Sequence, residues 1–201
     1  MKTKTHILSL MLCAFVLSGC SSIMMKYFGI RNIDRFDQKG YDNFINRLPD
    51  DVPYTALIGT AAQFDSVIHI SSSEITQHIA CQPIQMLYFK ADSLAAWHVN
   101  CTGKPSGRTL NWNYDRNFEA FPPKSIYSCD SLGVTLQAYR DIYPEIATGS
   151  SYTVIVFWTN MMTRISQTAA KTVFDNYRKY AKGRDIRIYL INNDLFFAQM
   201  K

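Results

Sequence analysis

Residues 130–201 contain neither a histidine nor a cysteine. The C-terminal third therefore lacks the two side chains that most often move protons or act as soft nucleophiles near neutral pH. The whole chain of 201 residues has four histidines and five cysteines. It contains no Gly-x-Ser-x-Gly elbow, which excludes the α/β-hydrolase nucleophile turn. Phosphate-binding glycine loops, dinucleotide fingerprints and calcium loops are also missing. No apolar run approaches the ~20 residues of a membrane-spanning helix; the longest is Ile7 to Leu17. Charge is modest too. The net charge is +5, with 21 basic and 16 acidic residues scattered along the chain. A surplus of that size describes a solvated surface and gives no reason to expect nucleic acid as a partner.

With 47% hydrophobic and 18% charged residues, the composition is that of one globular domain with a sizeable core. Its centre is expected at Tyr152 to Thr159. Four apolar residues in a row, Val154 to Phe157, break the alternation of a half-wet strand and indicate one buried on both faces of an α/β sheet. A helix over Thr168 to Lys182 should follow, with Ala170, Val173, Phe174, Tyr177 and Ala181 on one face and Gly183 past its end. Asp185 to Asn192 is the second core strand.

The N-terminus reads as a targeting segment. Lys2 and Lys4 precede the short apolar run, which ends in Leu17-Ser18-Gly19-Cys20. That tetrapeptide is similar to the bacterial lipobox. The resemblance implies a signal peptide over 1–19 and a mature N-terminus at Cys20. Cys20 would carry a diacylglycerol on sulfur and an acyl chain such as palmitate on nitrogen, and several chains give lasting attachment. A secretory signal with an incidental cysteine is the competing reading. Residues 20–35 form a tether with Met24, Met25, Tyr27 and Phe28 near the lipid, free to rest on the membrane or dock on the domain. In Bacteroidetes lipoproteins an acidic block after the cysteine resembles a surface-export signal. None follows Cys20, so the expected location is the outer membrane, facing the periplasm.

Residues 36–201 form the single domain. Asp37 to Leu48 is a helix with Tyr41, Phe44, Ile45 and Leu48 on its apolar stripe. Thr55 to Gly59 is a strand, and capping-box spacings predict helices from about Ala61 and Ser72. Residues 72–101 include a hairpin, Pro83 to Lys90 and Leu94 to Cys101, around a polar turn. With Lys90 facing Ser93, Met86 falls opposite Trp97 and Ile84 opposite Val99. The same register brings Cys81 and Cys101 close enough for a disulfide to be feasible. Residues 102–128 lose all periodicity and interleave Trp112, Tyr114, Phe118 and Phe121 with glycine and proline. Ser131 to Ile146 is a further helix.

The order strand, Phe157-Trp158-Thr159, turn, helix, strand resembles the central unit of the thioredoxin fold. Thioredoxins read Phe-Trp-Ala, two residues, then Cys-Gly-Pro-Cys; on that pattern the cysteine positions fall on Met162 and Ile165. Pro83 and its hairpin resemble the thioredoxin half that opens with a cis-proline, although here they come first in the chain. The resemblance implies a thioredoxin-like three-layer α/β sandwich with a central mixed sheet. Either this sheet is circularly permuted, or the β-α-β half (131–201) packs on an unrelated layer. The family's peptide-holding surface maps onto Met161, Met162, Thr163 and Pro83. Thiol–disulfide exchange needs an attacking thiolate and a resolving thiol, and Met162 and Ile165 supply neither. The expectation is a redox-inactive protein with no catalytic residues and no cofactor, binding an unknown protein or small ligand.

Two alternatives stand beside it. Aromatic rings Trp112, Tyr114, Phe118 and Phe121 could stack on a carbohydrate or other small ligand, or form the loop's own small core. Cys101 or Cys129 could serve as a nucleophile in a thiol enzyme. His78 and His98 stand near Cys81 and Cys101, but strand alternation points His98 and Cys101 apart, so no metal site is expected. Arg164, at the start of the late helix, could help hold an anion.

Overall fold

The computed structural model describes residues 25–200. The expected signal peptide, Cys20 and the first residues of the expected tether lie outside this range. In chain order come α1 (Gln38–Ile45), β1 (Thr55–Ile58), α2 (Ala61–Ile68) and α3 (Glu74–Ala80). The hairpin β2 (Gln85–Lys90) and β3 (Ser93–Val99) follows, then a small hairpin β4 (Lys104–Ser106) and β5 (Thr109–Asn111). The chain closes with α4 (Leu136–Ile142), β6 (Tyr152–Trp158), α5 (Thr163–Tyr180), β7 (Ile186–Asn192) and α6 (Asp194–Phe197).

Five strands form one mixed sheet in the order β1-β7-β6-β2-β3. β1, β7 and β6 are parallel, while β2 runs antiparallel to both β6 and β3. β6 is the central strand, and Val154 to Phe157 are fully buried, as their sequence demands. Val154, Val156 and Trp158 point into one core, with Phe44 of α1 and Ile165, Val173 and Phe174 of α5. Ile155 and Phe157 point into the other, with Phe64 of α2, Ile79 of α3 and Tyr139 of α4. The result is a three-layer α/β sandwich. The early hairpin and the late β-α-β unit share this sheet, so the late unit does not sit on an unrelated layer.

Local chemistry sets the element ends. Asp37 caps α1 by accepting from the Gly40 N–H. A Cβ at Gly40 would lie 2.6 Å from an Asp37 carboxylate oxygen, so glycine leaves room for the cap. Thr60 and Gln63 make the expected reciprocal capping box on α2. α3 starts later than its spacing suggested: Ser73 is the cap, and Ser71 accepts from the Ser73 N–H instead. α4 is shorter than the expected 131–146, because Gly133 turns left-handed (φ +64°) and separates it from the 3-10 turn Cys129–Leu132. α5 begins at Thr163, ahead of the expected Thr168, since buried Ile165 and Ser166 already belong to its inner face. The β4–β5 hairpin was not legible, its strands of three residues being too short to show a period.

The β2–β3 turn pairs Lys90 with Ser93 as expected, but a bulge between Tyr88 and Phe89 shifts the rest of the register by one residue. Leu87 faces Trp97 and Met86 faces His98. A slip of one residue exchanges the faces of a strand, and this one puts Leu87 and Trp97 together in the second core. Neither the feasible Cys81–Cys101 disulfide nor a cis bond before Pro83 is formed. Cys81, Cys101 and Cys129 are all free thiols. Cys81 ends α3 with its Sγ turned back to the His78 carbonyl at 3.1 Å, while Cys101 stands exposed in the turn after β3. The bond before Pro83 is trans; the cis peptide among the described residues precedes Pro122.

Candidate functional site

Open α/β sheets gather binding groups where parallel strands end and the next helices begin. Here that place is the turn Thr159–Met162 between β6 and α5. The turn is pinned by Asp194, which is buried at the start of α6. Its carboxylate accepts from the Thr159 hydroxyl at 2.6 Å, the Asn160 N–H at 2.7 Å and the Asn160 side-chain amide at 2.8 Å. Ser166 bonds to both the N–H and the carbonyl of Thr159. A buried carboxylate with three donors is satisfied and fixes geometry without needing a ligand.

Met162 and Ile165 are both buried in the first core, next to Ala169 and Trp158. Met161 and Thr163 are half-buried. The chain's own N-terminal segment occupies the surface beside them. The Arg31 N–H donates to the Met161 carbonyl at 2.9 Å, and Arg31 Nε donates to the Asn160 carbonyl at 3.0 Å. Phe28 and Ile30 pack on the first core. The described part of the tether is therefore docked. Pro83 stands at the same end of the sheet, two residues before Gln85, which pairs with Phe157. Its carbonyl accepts from the Asn193 amide at 2.9 Å.

What remains open there is a polar cleft of about 460 Å³ between α1 and the start of α5. Arg31, Lys39, Arg47 and Arg164 line it, with Asp37 as the single acidic group. Arg31 reaches Asp37 at only 3.9 Å. Among the described residues Lys39, Arg47 and Arg164 have no acidic partner within ion-pair distance. Beyond Arg47 and Gln167 the cleft continues into a less polar hollow of about 360 Å³, floored by Leu48, Pro49 and Phe174. Sequence reasoning singled out Arg164 but missed Arg31, Lys39 and Arg47. Lys39 lies in the first turn of α1, on the side opposite its apolar stripe, and Arg47 follows just past the C-cap Asn46, so no shared helical face links them in the sequence.

The aromatic loop is mostly inward. Trp112 and Phe118 are buried in the first core, and Tyr114 and Phe121 are half-exposed. The Trp112 indole donates to Thr168 at 3.3 Å, and Phe118 lies against the buried His98 ring at 4.6 Å. A ligand stacking on those two indole and phenyl faces would have to displace them from the core. The cysteines are dispersed. Burial pushes the Cys129 thiol up, although Ser125 bonds to it at 3.1 Å, and a thiolate is correspondingly disfavoured. Burial, aided by Cys101 alongside, also pushes the Tyr127 phenol up to about 12. No group of three histidine, cysteine, aspartate or glutamate side chains converges as a metal site among the described residues.

No protein-family model, curated protein or solved structure matches the chain.

Proposed function

We propose that this is a lipid-anchored envelope protein with a thioredoxin-like sandwich that works by binding and not by redox chemistry. The observation that carries this reading is the identity and burial of the two residues at the positions where a thioredoxin has its cysteines, Met162 and Ile165. A thioether and a branched alkyl group cannot form a mixed disulfide. The strand order supports the family likeness, since a parallel β-α-β unit flanked by an antiparallel hairpin is what a permuted thioredoxin-like sheet requires. The lipobox supports attachment through Cys20, with the protein held at the outer membrane and facing the periplasm.

Two measurements test the parts separately. Insulin reduction by the purified chain should stay at the uncatalysed rate, and activity that alkylation abolishes would refute the redox-inactive reading. Labelled palmitate should enter the wild-type protein in cells and be lost in Cys20→Ala. Equal labelling of both proteins, or of neither, would remove the anchor.

A further inference from the structure

We propose that the α1–α5 face is a docking surface for anionic phospholipid headgroups, holding the domain flat against the membrane. Among the described residues Lys39, Arg47 and Arg164 converge on one cleft without an acidic partner at ion-pair distance, and Arg31 is only loosely matched by Asp37. Lys171 and Arg178 extend the basic edge along α5, but there Asp175 and Asp51 oppose them. The uncompensated charge is therefore concentrated at the N-terminal end of α5, where the docked tether also lies.

Chain connectivity then selects the partner. A Cβ placed on Gly29 would touch the Arg164 side chain at 3.7 Å, so residue 29 lies directly on the cleft. At no more than about 3.5 Å per residue, the nine residues back to Cys20 reach roughly 30 Å at full stretch. Four of those residues, Met25 to Phe28, already lie in the described turn, folded back on itself by the Ile30 N–H to Met25 carbonyl bond of 2.8 Å. An acylated Cys20 would thus hold this face within a short distance of the headgroups. Between the two, Met25 and Tyr27 are 39% and 45% exposed and flank Lys26, a combination suited to the interface. Clustered lysine and arginine beside a lipid anchor attract an anionic leaflet, and the less polar hollow beyond Arg47 would accept the glycerol end of a headgroup.

The inference rests on the proposed anchor for its orientation but has its own readout. The chain from Ser21, which holds every described residue and no acyl group, is floated with vesicles of phosphatidylcholine alone or mixed with phosphatidylglycerol. Binding should require phosphatidylglycerol and weaken steeply with salt. Replacing Lys39, Arg47 and Arg164 together by glutamine should lower the partition constant by roughly a hundredfold. The charge-keeping pair Arg47→Lys and Arg164→Lys should bind nearly as wild type, and unchanged circular dichroism and melting would show that the glutamine variant is folded. Equal binding to both vesicle types, or an unaffected glutamine variant, would overturn the proposal. So would release by inorganic phosphate at an ionic strength where chloride has no effect, because the cleft would then be a site for a free anion. Loss of palmitate labelling with vesicle binding retained removes the anchor only; labelling without vesicle binding removes this surface only.

Discussion

The two faces of the sheet use alternate residues of the same strands, yet they are closed in different ways. The face under α2, α3 and α4 is sealed by Phe64, Leu87, Phe89, Trp97, Tyr139 and Phe157, all of them fully buried. Its buried amide, Gln85, donates to the Ala80 and Gln82 carbonyls and accepts from the Trp97 indole. The opposite face is assembled from three separate stretches: the N-terminal segment through α1, the aromatic loop, and α5. It buries His98, whose Nε2 has no partner among the described residues, as the Tyr139 and Tyr143 hydroxyls of the α2–α4 face have none, and it leaves a cationic cleft where two stretches meet. The lesson is that seams, not the best-packed layers, are where this fold has surface left for binding.

The sharpest test of that contrast is a pair of adjacent truncations. Phe157→Ala opens the sealed face. Trp158→Ala removes the ring stacked on Phe44 at 3.7 Å and on Tyr41 at 5.5 Å. Each should cost about 3–5 kcal/mol in urea unfolding. If Trp158→Ala cost less than about 1 kcal/mol, the seam-built face would be far more plastic than described.

His98 gives the next effect. Burial holds its imidazole at a pKa of about 4, below the ordinary 6.5, despite a bond to the Lys124 backbone that acts the other way. The unfolded chain therefore binds this proton first as pH falls. Stability is fully present above about 6.5 and is lost progressively down to about 4, by a total near 3 kcal/mol. His98→Leu should flatten that window in unfolding curves taken across it. A wild-type curve with no His98-dependent slope would mean the first core is more hydrated than its packing shows.

Asp194→Asn is the milder perturbation of the seam. It replaces one acceptor oxygen by a donor facing Thr159 and Asn160, and should cost about 1–2 kcal/mol. Amide chemical shifts should move around Thr159, Asn160 and Asn193 and leave the α2–α4 face alone. Smallest of all, Cys81→Ser and Cys101→Ser should change stability by no more than about 0.5 kcal/mol. The melting temperature should not respond to reductant, because no cross-link joins the layers. A drop on reduction would reveal a bond between these thiols.

Much of the fold was legible where a pattern repeats. Val154 to Phe157 announced the central strand, the apolar stripes announced α1 and α5, and Thr60 with Gln63 marked the start of α2. The hairpin turn at Lys90 and Ser93 was readable, but the bulge beyond it was not. Nothing local distinguishes a register that pairs Met86 with Trp97 from one that pairs it with His98; the choice depends on which core has room for the indole. The site was less legible than the fold. Arg164 stood out by its place at a helix start, whereas Arg31, Lys39 and Arg47 are far from it in the chain and carry no motif.

The sequence by itself determined the class of architecture and the identity of Met162 and Ile165 in the turn after β6. Periodicity and burial preference act within a few residues, and a methionine or isoleucine cannot become a thiol in any fold. Tertiary structure alone decided that the described N-terminal segment docks on the Met161 turn, that Cys81, Cys101 and Cys129 stay apart, and that four basic side chains share one cleft. Those outcomes depend on how segments more than a hundred residues apart meet across the sheet, as Arg31 meets Asn160 and Met161. Such meetings are set by the packing of whole layers, and no local stretch of this chain encodes them.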